Sequence, residues 1–499
     1  STANLPEPTI SPANDAEPRD YFETFLYTGN GGGLQVGDVI KKPADTIDIT
    51  NSLIFNKDSH LERTMTSGDP KTWTISMWFK RGELNADPWY PRLLDFAPAS
   101  TANKRTTIGF NATGGLSFQF YDGSNNFSIG YDKLYKDTSR WHHLVFVFDS
   151  RSTTTSTDRM ITYVDGIRLT PSGSPGYPSD NFNSFANVSG NLMRLGNGVN
   201  DDGYDRNYSG YLAQVHYVDG AVYDQYDFGN FDANGIWIPK TVTAISDYGT
   251  NGFHLNFADN TSTTTLGEDQ TTNGNDFTAS NLATTDQVSD SPTNNFVTLN
   301  PLATSLTLSE GNLKASGGST HNAAKSTIAI SAGMKIYVEV TFGATPDGAW
   351  FGLTPRGDNE TGYTNTDRTG LYSSSAASTF FGSGAGTNVG GPLLNNGDTW
   401  GMAVDFDSGR AWFAEISGGT PTWYARNGSN GAQYAPDGAS DNLFEFMNSD
   451  TGLPLFVLVA QNSNPTVNFG QKPFAISSVP TGFLALSENN ITVDDQNLE

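Results

Sequence analysis

Apolar residues recur at every second position in short runs, and each run stops at Gly, Asn or Asp within a few residues; no stretch carries the 3.6-residue rhythm of a long helix. In Trp73–Phe79 the residues Trp73, Ile75, Met77 and Phe79 share one face, while Thr74, Ser76 and Trp78 take the other, as a strand packed on a core requires. Leu116–Phe120 repeats the pattern, and Leu144–Phe148 is apolar on both faces, which predicts a central strand. Asp165-Gly166 lies between Ile161–Val164 and Ile167–Leu169 and predicts a two-residue hairpin, because a type I′ turn needs positive φ at both centres. A second series begins near Ile336 and includes Trp350–Leu353, Trp400–Phe406, Ala411–Phe413 and Leu455–Ala460. Sheets with an apolar face must stack to hide it, so the chain is expected to be all-β, with two β-sandwiches in tandem.

Length agrees with this division, since 499 residues exceed one ordinary domain of roughly 100 to 200 residues. Residues 1–22 hold Pro6, Pro12 and Pro18 among acids and small polar residues and are expected to be an extended docking arm. Residues 23–49 follow as a short strand and turn segment. The first sandwich is placed at 50–257, a polar connector at 258–300, the second sandwich at 301–486 and an acidic tail at 487–499.

Charge and composition narrow the function. Lys and Arg total 28 against 53 Asp and Glu, a net charge of -25, which disfavours nucleic acid and anionic membrane surfaces as partners. Cysteine is absent, which excludes disulfide frameworks, Cys-based zinc sites and thiol nucleophiles. No run approaches the roughly 20 apolar residues of a membrane span. The opening Ser1-Thr2-Ala3-Asn4 lacks the basic and apolar regions of a secretory signal, and loss of an initiator Met is the simplest account of it.

Catalysis has no motif to stand on. No Glu has Asp two residues later, so the strand-borne carboxylate pair of concanavalin-like glucanases is missing, and Gly-x-Ser-x-Gly, the phosphate loop and His-Glu-x-x-His are absent too. The expectation is a protein that is not an enzyme. Adjacent His142 and His143 point to opposite faces of a strand, so they read as framework rather than as a metal pair. Asp201, Asp202 and Asp205 form the densest acidic loop, read either as a solvated turn or as a site for a hard cation, with calcium the candidate cofactor. Trp89 and Tyr90 sit between Pro88 and Pro91, and Tyr204, Tyr208 and Tyr211 in the next aromatic stretch; these rings either contact a ligand from a loop or plug the sandwich end.

Ser52–Asn56, Thr74–Arg81, Trp141–Val145, Tyr163–Gly166 and Gly210–Val215 resemble a laminin G-like, concanavalin A-like jelly roll over roughly 50–257. Lys335–Val340, Trp350–Leu353, Trp400–Asp407 and Val467–Phe474 resemble a SPRY domain, another concanavalin-like sandwich, over roughly 325–475. The pair, joined through Asp290–Phe296 and Asn300–Leu302, is similar to fibre-like virion proteins of marine tailed phages. That resemblance implies a tail fibre or similar appendage on the virion surface, assembled in the host cytoplasm. Its partners would be other virion proteins through the arm, a host surface glycan or protein through the sandwich loops, and further copies of itself in a homo-oligomer. A capsid-bound fibre or decoration protein, a polysaccharide depolymerase and a secreted bacterial adhesin are the alternatives. The proline-rich arm and acidic tail belong to neither module pattern.

Overall fold

The computed structural model describes residues 46–490, apart from 85–89, 100–103, 153–154, 200–205, 305, 318–321, 344–347, 356–368, 374–377, 382–388, 393, 426–428, 439–443, 446–453 and 460–462. The docking arm expected at 1–22 and most of the acidic tail lie outside the described residues.

The chain is all-β, with no α-helix among the described residues, only short 3-10 turns. In the first sandwich, one antiparallel sheet runs Ile167–Arg168, Met160–Val164, His142–Asp149, Thr72–Arg81, Gly210–Asp219, Ser52–Phe55 and Gln287–Val288, with Phe253–Leu255 also paired to Gly210–Asp219. The facing sheet runs Thr278–Ser280, His60–Thr64, Asn191–Leu195, Arg92–Pro98, Arg105–Phe110, Gly115–Tyr121 and Asn126–Leu134. Trp73, Ile75, Met77 and Phe79 enter the core between these sheets with Phe96, Phe118, Phe146 and Phe148. The apolar run Leu144–Phe148 is central, as its two-sided pattern demands. At the hairpin, φ is 51° at Asp165 and 80° at Gly166, the type I′ signature, and a Cβ on Gly166 would run into the Trp237 ring.

The second sandwich pairs a sheet centred on Lys335–Thr341, Thr399–Asp405 and Arg410–Ser417 with one centred on Pro454–Val459, Trp350–Pro355 and Thr369–Ser373. Its core includes Ile336, Val338, Val340, Phe351, Trp400, Met402 and Phe413. That apolar cluster does not end at the second sandwich. It continues through Val297 and Leu299 to Ile54, Trp78, Trp141 and Tyr211 on the outer face of the first.

The 258–300 stretch, expected to be a connector from its polar composition, is woven into the first sandwich: Thr278–Ser280 pairs with His60–Thr64 and Gln287–Val288 with Ser52–Phe55. Its Asn, Asp and Thr residues order the backbone through their own side chains. Asp269 alone accepts from the amides of His254, Thr271 and Asn275 at 2.9 Å each.

Candidate functional site

Two places on the first sandwich gather functional side chains. The first is the corner where Tyr90 and Arg206 meet. The Arg92 amide donates to the Arg206 carbonyl at 3.0 Å, which brings the backbone just after Tyr90 against Arg206. The Arg206 guanidinium lies 5.7 Å from the centroid of the Tyr90 ring, a cation–π distance. Tyr90 is 39% exposed and held at φ 70°, a left-handed conformation unusual for a bulky residue. Its immediate support is rigid, since the Phe110 amide donates to the Pro91 carbonyl at 2.9 Å.

Beneath this corner a polar row crosses the outer face of the second sheet in register: Glu62, Arg194, Asp95, Thr107, Gln119 and Ser128. Glu62 and Arg194 form an ion pair. Arg92 Nη1 donates to Thr107 Oγ1 at 2.7 Å, and Arg105 donates to Gln119 at 3.0 Å while its guanidinium lies 5.3 Å from the Tyr121 ring centroid. Asp95 is buried in the middle of the row. Burial raises its carboxyl above the usual range, against the opposing pull of Arg92, the Val199 amide, Arg105 and Arg206. Val199 N donates to Asp95 Oδ2 at 2.8 Å. Arg92, Asp95, Thr107 and Arg206 are buried and hold the face together from within; what the face leaves open is Glu62, Arg105, Arg194, Gln119, Ser128 and the Tyr90 and Tyr121 rings, donors, acceptors and aromatic faces that complement the hydroxyls and C–H surfaces of a sugar.

Trp89, Asp201, Asp202, Tyr204 and Asp205 lie outside the described residues. Among the described residues no group of three or more His, Cys, Asp or Glu could hold a metal ion. Tyr208 requires a correction. Named as a ligand-binding candidate and read either as a loop ring or as a plug of the sandwich end, it is fully buried, its hydroxyl donating to the Lys80 and Tyr211 carbonyls at 2.9 and 3.2 Å, and it packs on Phe110 and Phe55. Tyr211 is buried likewise, its hydroxyl donating across to the Gly311 carbonyl at 2.7 Å. Tyr208 faces the core of the first sandwich and Tyr211 the cluster shared with the second, so neither face of the sheet at this point is left to solvent. Arg206 and the polar row were missed in sequence because their significance lies in strand register, not in local spacing.

The second place is a shallow cleft, with room for about one water, on the outer face of the first sheet, lined by Ser76, Trp78, His143, Gln214, His216 and Phe228, among others. His142 and His143 do point apart: His142 bonds Asp165 at 2.8 Å on the core side, and His143 stacks on Trp78 and Trp237 on the other. Trp237 Nε1–H donates to His143 Nδ1 at 3.0 Å, which leaves the ring proton on Nε2 facing Ser76 Oγ at 2.8 Å. His216 stacks on His254 at 3.9 Å and bonds the Tyr248 hydroxyl at 2.8 Å, while His254 Nε2 meets Gln214 Oε1 at 2.6 Å. A β-bulge between Ala213 and His216, with Gln214 at φ 46°, aims that side chain at His254. His143, His216 and His254 are neutral framework rings.

Burial pushes His143 down to about 3 and His254 to about 4, each against an opposing aspartate, and His216 is driven well below its ordinary value by burial and then by its two histidine neighbours. An unfolded chain titrates these rings near 6.5, so between about pH 6.5 and 4 the unfolded state binds more protons than the folded one. Stability is therefore full above that window and falls on acidification, by about 1.4 kcal/mol per pH unit for each histidine. Asp95 and Asp219, whose carboxyls burial raises, act with the opposite sign. The histidine share is read as the difference in melting temperature against pH between wild type and His254→Gln, whose acid slope is expected to be the shallower.

Residues 55–225 match the profile of the concanavalin A-like lectin/glucanases superfamily. The first sandwich carries a laminin G-like, concanavalin-like domain. No curated protein matches the chain. Among solved structures, mouse laminin alpha1 chain domains LG4-5 are 10% identical, covering 83% of this chain and 84% of that one, with a TM-score of 0.29. The CBM40 of Ruminococcus gnavus IT-sialidase is 10% identical over 36% of this chain and 96% of its own, TM-score 0.25. The TRIM65 PSpry domain is 15% identical over 35% and 90%, TM-score 0.26.

Proposed function

We propose that this chain is a non-catalytic structural protein of a virion, a tail fibre or similar appendage, whose first sandwich binds a host surface glycan at the Tyr90–Arg206 corner. The observation that carries the binding half is the exposed Tyr90 ring, held against the buried Arg206 guanidinium, on the same face as the partly exposed Glu62, Arg194 and Gln119 and the exposed Ser128. The lectin/glucanase superfamily match over 55–225 supports the same reading. The virion role rests on the resemblance of the two-module arrangement to fibre-like phage proteins, and the arm at 1–22 would dock on the particle. A capsid-bound fibre or decoration protein and a polysaccharide depolymerase are the competing assignments.

Tyr90→Ala and Arg206→Ala are each expected to weaken adsorption to host cells, and retention on the cognate glycan surface, by roughly tenfold, the loss of about 1.4 kcal/mol of contact. Tyr90→Ala should barely move the melting temperature, because its ring is exposed. Undiminished adsorption by both variants would remove the corner from the proposal. Release of reducing ends from host polysaccharide by the wild-type chain would identify a depolymerase instead.

A further inference from the structure

We propose that Lys80 and Asn295 become joined by an amide bond formed by the protein itself, with Asp290 as the acid–base catalyst. The three side chains meet in the seam between the sandwiches, where Lys80 and Asp290 are 0% exposed and Asn295 is 4% exposed. Lys80 Nζ lies 2.7 Å from Asp290 Oδ2, 2.7 Å from Asn295 Oδ1 and 2.7 Å from the Phe296 carbonyl. Asn295 cannot turn its amide round, because Nδ2 donates to the Ser139 carbonyl at 2.7 Å and to Glu488 Oε1 at 2.8 Å. Its carbonyl therefore faces the lysine. Asp290 is held from behind, with Oδ1 accepting from Trp141 Nε1–H at 2.9 Å and from the Phe296 amide at 3.3 Å. Trp141, Tyr211 and Phe296 wall the site, with Lys80 Nζ 5.5 Å from the Tyr211 ring centroid.

An amine and a carboxamide do not condense readily in water, because the amine is protonated and the amide nitrogen leaves poorly. Asp290 answers both difficulties. Its carboxylate takes a proton from the Lys80 ammonium, and the freed amine forms a C–N bond to Asn295 Cγ. The carboxyl then returns the proton to the tetrahedral intermediate, the Cγ–Nδ2 bond breaks, and Nδ2 departs as ammonia with the second amine proton. The sum is ammonium side chain plus carboxamide giving secondary amide plus ammonium ion, with no change of oxidation state. Fixed geometry supplies the rate, since groups oriented within one site react at effective concentrations on the order of 10⁵ M or more. Water, the competing nucleophile, is excluded. The bond would span 215 positions of sequence, from the central strand Thr72–Arg81 to the segment that opens the second sandwich.

The test is the intact mass of the purified full-length chain, followed by proteolysis. The expected result is a mass lower than the sequence by one ammonia, with a branched peptide joining Lys80 to Asn295, and the full sequence mass in Lys80→Arg and Asp290→Ala. Should either variant fail to fold, the wild-type mass and peptide decide alone. A wild-type chain at its unmodified mass after prolonged incubation overturns the proposal. So does an ammonia loss mapped to another asparagine, or a loss of water mapped to a Lys80–Asp290 amide.

Discussion

Trp73→Ala is expected to cost about 3–5 kcal/mol, close to the largest effect a single side chain in this protein can have. Trp73 is 0% exposed, and its ring contacts Phe96, Phe118, Phe146, Phe148 and Tyr217 at centroid separations of 5.4 to 6.4 Å. Its Nε1–H donates to Ser184 Oγ at 3.1 Å, which in turn donates to the Pro70 carbonyl at 2.7 Å. Truncation removes one apolar ring from the contacts of five others and leaves Ser184 Oγ without its indole donor. Both sheets supply those five rings, so the cavity cannot close by a local shift. Urea unfolding followed by tryptophan-independent circular dichroism measures the loss. A loss under about 1 kcal/mol would mean that this core repacks freely.

Lys80→Met is expected to destabilise to a similar degree for a different reason. In the chain before the Lys80–Asn295 amide forms, the substitution keeps the side-chain volume and removes the charge, leaving the Asp290 carboxylate, the Asn295 carbonyl and the Phe296 carbonyl without their shared donor in a site shielded from water. Removing one member of a buried pair costs about 3–5 kcal/mol, because the uncompensated partner stays behind. A shift in the urea midpoint is the readout, with Arg151→Met as the control: its partner Asp69 is a surface contact, and an exposed ion pair is worth about 1 kcal/mol or less. Equal effects from the two substitutions would show that the seam is wet.

Residues whose partners are close in sequence were legible, and those whose partners are distant were not. The Trp73–Phe79 alternation and the Asp165-Gly166 turn are complete statements within ten residues, and the structure reproduces both. Tyr208 sits between Asn207 and Ser209 like many loop tyrosines, and partners distant in sequence make it a core residue: the Lys80 carbonyl, 128 positions away, and the Phe55 and Phe110 rings. Lys80, Asp290 and Asn295 carry no local mark of their meeting. The polar composition of 258–300 suggested slack chain because it has few large apolar residues, yet those few, such as Leu266, Phe277 and Val297, are buried in the cores, and side chains such as Asp269 and Asn275 tie the rest down through hydrogen bonds. At the candidate site, Tyr90 was singled out from its flanking prolines, whereas Arg206 needed the Arg92 backbone contact to become its neighbour.

The apolar cluster running unbroken from Trp141 and Tyr211 into Phe351 and Phe413 has a mechanical consequence. Two beads on a string explore many mutual angles, and each surface they grip together must first freeze that freedom. A pair welded through a shared core has one angle, set at folding. The Tyr90 corner is thus carried at a fixed bearing relative to the second sandwich. Tension applied at one end reaches the other through packed side chains and strand ladders rather than through a slack tether, so the whole pair yields together or not at all.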